Sequence, residues 1–230
     1  LPIYATLSWT GGSSAVKHRI MFGSDLENMA LLTETTATSA VTPALSALNT
    51  YYWRVDEIDK DNNVYEGDVW SFRPRHLAFP GAEGYGRYAI GGRGGIVYHV
   101  TSLDDDVENP AEGTFRYGIT QVKGPRTIVF DVAGIIHLKA RLTCSEKYVT
   151  VAGQTAPGNG ILFRGAPFGM QSDGITRFIR LYRGHIIDAK DAQIGIDGMG
   201  MAGNDHAIMD HCSISWTIDE GFSSRNAKAI

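Results

Sequence analysis

The chain has 230 residues, of which 43% are hydrophobic, so it can fill one large core or a small core and a medium one. Its formal net charge of −4, without a basic stripe, argues against nucleic acid as a partner. No apolar run approaches the ~20 residues that a membrane-spanning helix needs, so we expect no membrane span.

Residues 1–75 predict a small all-β domain. Short apolar runs at 7–9 and 18–22 are typical of strands, and a hairpin joins the runs at 51–55 and 68–72. Apolar and polar residues alternate in both hairpin runs, which predicts one face on a core and the other in water.

Leu45 and Leu48, followed by Tyr51, resemble the tyrosine corner of fibronectin type III sandwiches. The resemblance implies that Trp9 is the core tryptophan of an early strand and that the first strand is shortened. This domain carries no titratable cluster typical of catalysis, so we interpret it as a spacer or adaptor. Residues 73–76, which contain Pro74, predict a linker.

Residues 76–230 show a different sequence pattern from residues 1–75. Thr114 predicts the cap of a short helix, although Gly118 disfavours one. Short strands then recur about every 20 to 30 residues, a spacing typical of stacked solenoid coils. The predicted strands are Ile128–Phe130, Tyr148–Val151, Arg177–Arg180, His206–Met209 and Lys228–Ile230.

Five phrases in this region, AFPGAEGYG, GGRGG, RTIVFDV, VAGQTAPG and DHCSISWTIDE, resemble the pectate lyase family in kind and in order. The resemblance implies an all-β chain: an incomplete right-handed parallel β-helix after a fibronectin type III-like sandwich. It also implies a secreted enzyme that cleaves an acidic polysaccharide, pectate, by calcium-assisted β-elimination.

Two acidic groups lie about one coil apart. Asp188 and Asp191 form the first, with Asp197 shortly after them, and Asp219 and Glu220 form the second. If adjacent rungs bring these carboxylates together, a hard cation such as Ca²⁺ relieves their repulsion. Acidic residues in turns also commonly just face water, and the residues alone leave that alternative open.

The resemblance favours calcium on Asp188, Asp191, Asp219 and Glu220. Many relatives have an Arg-x-Gly-Asp phrase where this chain has Arg183-Gly184-His185. One expected ligand is therefore replaced.

The resemblance also implies an arginine base beyond the calcium carboxylates, in a region that this sequence does not reach. Arg225 is the candidate within the chain, but it does not stand in the family's arginine motif, so a structural or carboxylate-pairing role suits it better. We therefore expect a C-terminally truncated, inactive chain that self-associates through the open end of its β-helix.

Several further residues suit a sugar polymer. Arg180 and Arg183, with Arg164 and Arg177, can pair with uronate carboxylates, or they can simply face solvent. Trp216 either stacks within the solenoid or offers a sugar platform. Asp210 and His211 are interpreted as a hydrogen-bonded structural pair.

Two functions therefore remain open. One is a calcium-dependent pectate lyase. The other is a non-catalytic extracellular β-helix that binds carbohydrate or serves assembly, since fold alone does not fix function. Cys144 and Cys212 are expected to be free thiols, because coils several rungs apart exceed the ~7 Å that a disulfide allows.

Overall fold

The computed structural model describes residues 3–184, 197–201 and 203–228. The chain forms two compact units, Leu1–His76 and Leu77–Ile230. The division lies one residue from the predicted boundary. No helix among the described residues has the length and apolar character needed to cross a membrane.

The first unit consists of antiparallel strands in two sheets. One sheet pairs β1 with β4, and the other has the order β3-β2-β5-β6, with β7 also paired to β5. The strands are β1 (Thr6–Ser8), β2 (Lys17–Gly23), β3 (Ala30–Thr35), β4 (Ser39–Val41), β5 (Tyr51–Ile58), β6 (Val64–Tyr65) and β7 (Val69–Phe72).

Alternation along β2 and β5 supplies the core of this unit. Ile20 and Phe22 are buried from β2, and the ring of Phe22 stacks on Tyr51 at 5.3 Å. The hydroxyl of Tyr51 accepts a hydrogen bond of 2.9 Å from the backbone N–H of Ser46, five residues upstream. Trp9 is only partly buried and packs against the edge of this cluster.

In the described residues, the second unit contains thirteen strands, one short α-helix and two 3₁₀ turns, Tyr85–Tyr88 and Gly153–Thr155. Its first strand is β8 (Ile96–Val100), and α1 (Phe115–Thr120) comes next. The strands that follow are β9 (Arg126–Phe130), β10 (Gly134–His137), β11 (Leu142–Thr143), β12 (Val149–Ala152), β13 (Ile161–Arg164), β14 (Phe168–Gly169), β15 (Ile175–Arg177), β16 (Ile179–Tyr182), β17 (Met199–Gly200), β18 (Ile208–Asp210), β19 (Ser213–Ser215) and β20 (Phe222–Ser223).

These strands form three parallel sheets. In the described residues, four successive coils each give one strand to every sheet, and β8 adds a fifth strand to one of them. Their orders are β8-β9-β12-β15-β18, β10-β13-β16-β19 and β11-β14-β17-β20. The unit is therefore a parallel β-helix, as predicted, and its described residues form about four turns. We call the three sheets the first, second and third sheet.

Left-handed residues form corners between strands. Phe178 and His211 have φ values of 54° and 51° and occupy equivalent corners of successive coils, where their rings stack at 4.7 Å. The prediction of a single strand at Arg177–Arg180 is wrong for this reason: Phe178 turns the chain from β15 in the first sheet to β16 in the second. The last predicted strand includes residues 229 and 230, which lie outside the described residues.

Aromatic rings fill one end of the β-helix core. Phe115 of α1 stacks on Phe163 with ring centroids 4.5 Å apart, and both rings are fully buried. The hydroxyl of Thr114 accepts a hydrogen bond from the N–H of Tyr117, so the predicted helix and its cap are confirmed. Gly118 is required by packing, since an added Cβ would lie 2.5 Å from the ring of Tyr98.

Both cysteines are free thiols, as predicted. Cys144 is fully buried and Cys212 is half-buried, and burial raises the pKa of each thiol. Neither thiol is thus activated as a nucleophile at neutral pH.

Candidate functional site

Three carboxylates converge beside the third sheet. Asp197, Asp219 and Glu220 each offer an oxygen within 4.8 Å of the others. Two oxygens bound to the same Ca²⁺ lie at most about 5 Å apart, because each bond is about 2.3–2.6 Å long. The donor set and its spacing therefore fit a hard divalent cation.

The β-helix itself brings these side chains together. Asp197 precedes β17 and Glu220 precedes β20, and these strands pair in parallel with Met199 opposite Phe222. The N–H of Gly198 donates to the carbonyl of Glu220 at 2.9 Å, which fixes the two turns side by side. Gly198 is needed here, because an added Cβ would lie 2.6 Å from Ile214 and 2.8 Å from the Gly221 carbonyl.

The predicted ligands are only partly represented in this cluster. Asp219 and Glu220 belong to it, whereas Asp188 and Asp191 lie outside the described residues, as does His185. Asp197 was visible in the sequence but was not predicted as a ligand. The signal that identifies it is position: like Glu220, it stands directly before a strand of the third sheet.

A groove of about 300 Å³ runs across the third sheet next to the carboxylates. Its floor is a column of small residues in register on successive rungs: Thr143, Gly169, Gly200 and Ser223. Rungs lie ~4.8 Å apart, so these four span about 14 Å along the helix axis. A floor without large side chains leaves room for an extended polymer.

Charged side chains line both edges of this groove. Asp197 and Arg141 precede strands of the third sheet, and Arg225 follows one. Because parallel strands all run the same way, residues before and after them lie at opposite edges of the sheet. We call the edge at which the strands begin the amino edge, and it carries both carboxylates and the positive charge of Arg141. The opposite edge, at which the strands end, carries the positive charge of Arg225.

A buried ion pair supports the segment that presents Arg141. The guanidinium of Arg116 donates to the Ala140 carbonyl at 2.9 Å and is held by both carboxylate oxygens of Asp105. Asp105 in turn accepts from the N–H of Lys139 at 2.8 Å. Residues 139 and 140, just before Arg141, are thus fixed by buried charge. No motif in the sequence indicates Arg141 or the ion pair that supports it.

Arg183 lies in the core rather than on an open surface. Only 4% of it is exposed, and its Nε and Nη1 have no hydrogen-bond partner among the described residues. Burial, together with the nearby charge of Arg141, lowers the pKa of Arg183. Burying a guanidinium whose N–H groups have no acceptor costs free energy, so an anion bound next to Arg183 would lower that cost.

Arg180 and Trp216 do not line the groove. Arg180 lies on the second sheet, where its guanidinium donates to the carbonyl of Asn159. Trp216 is 68% exposed, so it is not stacked within the solenoid, and its ring meets Tyr182 at 5.5 Å.

Asp210 and His211 lie on the first sheet and at its corner, as a hydrogen-bonded pair. His211 Nδ1 is 2.8 Å from Asp210 Oδ1, while Arg177 donates to Asp210 Oδ2 at 2.6 Å. Burial alone would raise the pKa of Asp210, but the hydrogen bonds from His211 and Arg177 outweigh it and lower this pKa. The guanidinium of Arg177 also lies 3.7 Å from the ring centre of Phe79. Arg177 therefore links the segment that contains Phe79 to Asp210 in the last described coil.

Comparison with known proteins relates the chain to pectate lyases. It is 44% identical over 149 residues to a probable pectate lyase C of Emericella nidulans. The matched segment covers 64% of this chain and 32% of that relative. A probable pectate lyase C of Aspergillus oryzae is also 44% identical, with 33% of the relative covered. Pectate lyase 5 of Ambrosia artemisiifolia is 31% identical over 154 residues. The chain spans about a third of the length of the curated relatives it matches.

Among solved structures, the chain is similar to Jun a 1, the major allergen from cedar pollen. The two are 26% identical with a TM-score of 0.53, over 64% of this chain and 46% of the other. No protein-family profile matches the chain.

Proposed function

We propose that this chain is part of a secreted, calcium-dependent pectate lyase that cleaves polygalacturonate by β-elimination. The observation that carries the proposal is the groove on the third sheet, where Asp197, Asp219 and Glu220 converge at one edge and Arg225 lies at the other. The similarity to fungal and plant pectate lyases supplies the substrate class.

Asp197, Asp219 and Glu220 would hold the calcium ion. Three carboxylates in a turn region of mixed exposure suit Ca²⁺, which accepts irregular oxygen coordination, better than Mg²⁺, which requires a regular octahedron. Bound there, calcium would neutralise a uronate carboxylate and make its C5 proton more acidic.

The remaining groove residues would bind and orient the polymer. Arg141 and Arg225 can pair with uronate carboxylates at the two edges, while the floor of Gly169 and Gly200 admits sugar rings close to the backbone. β-Elimination then needs a base within hydrogen-bond reach of C5, and the leaving group is the glycosidic oxygen at C4. We assign no proton acceptor among the described residues, since Arg225 is better suited to carboxylate pairing.

Arg183 offers a further reason for an acidic ligand. Its buried guanidinium has two nitrogens, Nε and Nη1, without a hydrogen-bond partner among the described residues, and the charge of Arg141 lowers its pKa further. A uronate carboxylate bound beside Arg141 would offset the effect of that charge. Binding of a polyuronate is therefore expected to stabilise the second unit against unfolding.

For the first unit we propose a fibronectin type III-like sandwich. Two antiparallel sheets enclose its core, and the Tyr51 hydroxyl bonds back to the backbone of Ser46, as in a tyrosine corner. This unit would act as a spacer or adaptor for the β-helix.

The decisive experiment measures calcium binding and cleavage separately. Calorimetric titration with Ca²⁺ is expected to show binding that the double variant Asp219→Asn/Glu220→Gln loses. The matched control Asp61→Asn/Asp68→Asn removes the same charge from exposed positions of the first unit and is expected to bind as the wild type does.

Cleavage is followed by the ultraviolet absorbance of the unsaturated uronide released from polygalacturonate, with calcium and with a chelator. Calcium-dependent release supports the lyase. Because this chain alone is expected to be inactive, the assay is made on the longer protein of which we propose it is part. Calcium binding and polymer binding by that protein without release under any condition would overturn the lyase and favour a non-catalytic carbohydrate-binding β-helix. Unchanged calcium binding in the double variant would show that the ion is held elsewhere.

A further inference from the structure

The outward face of the second sheet carries basic and aromatic side chains in register. His137 pairs with Arg164 across β10 and β13, and Leu162 pairs with Arg180 across β13 and β16. Tyr182 follows on β16, opposite Ser215 of β19. Trp216 comes directly after that strand. We call His137, Arg164, Arg180, Tyr182 and Trp216 the basic–aromatic strip.

On the described strands of this sheet, no outward carboxylate balances the charge of the strip. The outward positions of the four strands are Ile135, His137, Leu162, Arg164, Arg180, Tyr182, Ser213 and Ser215, and none is acidic. Within the described part of the chain, neither Arg164 nor Arg180 forms a salt bridge. Arg180 instead donates to a neutral carbonyl, that of Asn159. The face is thus complementary to a polyanion.

The aromatic end of the strip is held in a costly conformation. Trp216 has φ of 57°, a left-handed value that is unfavourable for a bulky residue. The backbone stays in place because Gly184 N–H donates to the Trp216 carbonyl at 3.2 Å. The indole is nonetheless 68% exposed and meets Tyr182 at an angle of 52°. Gly184 is left-handed as well, so the fold sets this backbone conformation, and the exposed indole with the Tyr182 ring leaves an aromatic face at this end of the strip.

We propose that the basic–aromatic strip is a second binding surface for an acidic polysaccharide, separate from the groove on the third sheet. Sugar rings would lie against Trp216 and Tyr182, and uronate carboxylates would pair with Arg164 and Arg180. Adjacent rungs are ~4.8 Å apart, close to the length of one sugar ring, so neighbouring sugars can meet successive strands.

The inference takes its ligand class from the proposed function, but it does not require cleavage or calcium. A polymer held on the strip keeps its remaining length at high effective concentration near the groove. The strip is therefore expected to matter for long polymers and little for short oligosaccharides.

The test measures retention of the protein in electrophoresis gels that contain polygalacturonate, in the presence of a chelator. The double variant Arg164→Gln/Trp216→Ala is expected to weaken polymer binding about tenfold, because it removes one charge-assisted pair and one stacking ring. Trp70→Ala is the matched control, since Trp70 is 62% exposed but belongs to the first unit. It is expected to bind as the wild type does.

Trp216 is the only tryptophan after residue 76, which gives a second readout in the unaltered β-helix. In a Trp9→Phe/Trp53→Phe/Trp70→Phe background, tri-galacturonate at high concentration is expected to shift the Trp216 emission without calcium. Wild-type retention by the strip variant, or an equal loss with Trp70→Ala, would overturn the proposal. Absence of calcium-dependent cleavage by the longer protein, with intact strip binding, would instead count against the proposed function alone.

Discussion

Arg116 and Asp105 form a two-pronged ion pair beneath the amino edge of the third sheet. Nε of Arg116 is 2.6 Å from Oδ1 of Asp105, and Nη2 is 2.8 Å from Oδ2. Their side chains are only 5% and 1% exposed. The same guanidinium donates to the Ala140 carbonyl, so a buried structural pair also sets the position of Arg141 in the groove.

Removing one partner of this pair is expected to destabilise the second unit strongly. Arg116→Met leaves the Asp105 carboxylate buried without its counter-ion, which typically costs about 3–5 kcal/mol. Urea unfolding followed by the fluorescence of Trp216, in a background without the other tryptophans, measures the loss for this unit. Lys123→Met is the control, because Lys123 is 69% exposed and its pair with Glu146 is worth at most about 1 kcal/mol. Similar losses in both variants would show that burial of the pair is unimportant.

The floor of the groove is expected to accept one added carbon but not a large side chain. A Cβ on Gly169 would lie 3.5 Å from Thr143, which is ordinary contact. Gly169→Ala should therefore fold and bind normally, whereas Gly169→Leu should fold but weaken polygalacturonate binding about tenfold by occupying the groove. Calorimetry with a short oligogalacturonate checks this. Equal affinity of the two variants would place the ligand elsewhere.

Gly198 offers a test of the carboxylate cluster that removes no carboxylate. In Gly198→Ala the new methyl group meets Ile214 and the Gly221 carbonyl, so the turns before β17 and β20 must separate. Calcium affinity is expected to fall about 10-fold or more, as for other changes that misplace metal ligands. Titration with Ca²⁺ measures it, with Gly169→Ala as the control. Unchanged affinity would separate the calcium site from these two turns.

The solenoid could be predicted from the sequence because coil stacking imposes a repeat on short apolar runs. Ile128, Val151 and Ile179 are all fully buried and come from predicted strands. The corner at Phe178 could not be predicted in this way. Its left-handed backbone is stabilised by stacking on His211 in the next coil, a contact that no local pattern records.

The candidate site was predictable in part for the same reason. The phrase around Asp219 and Glu220 marks a turn, but its partner Asp197 depends on strand register across coils of unequal length. Arg141 depends on a buried ion pair formed by residues far away in sequence. The register between distant coils and the burial of an ion pair exist only in the folded chain. No local sequence pattern therefore predicts that Asp197 and Arg141 belong to the site.

Asp210 is expected to stabilise the fold in a pH-dependent manner. Hydrogen bonds from His211 and Arg177 lower its folded-state pKa against the opposing effect of burial. Because this pKa lies below the unfolded value of about 3.9, the stabilisation is fully present above pH 4 to 5 and is lost as the pH falls through the folded-state pKa. Asp210→Asn should thus lower the free energy of unfolding by about 1–3 kcal/mol at pH 7, and by less at pH 3.

The matched control for Asp210 is Asp205→Asn. Asp205 also stands next to a histidine, with His206 Nδ1 at 3.1 Å, but it is 46% exposed and has no arginine partner in the described residues. Its replacement is expected to cost less than about 1 kcal/mol at either pH. Urea unfolding of both variants at pH 7 and pH 3 makes the comparison. If the cost of Asp210→Asn is the same at both pH values, its carboxylate charge does not stabilise the fold, and the side chain acts through packing alone.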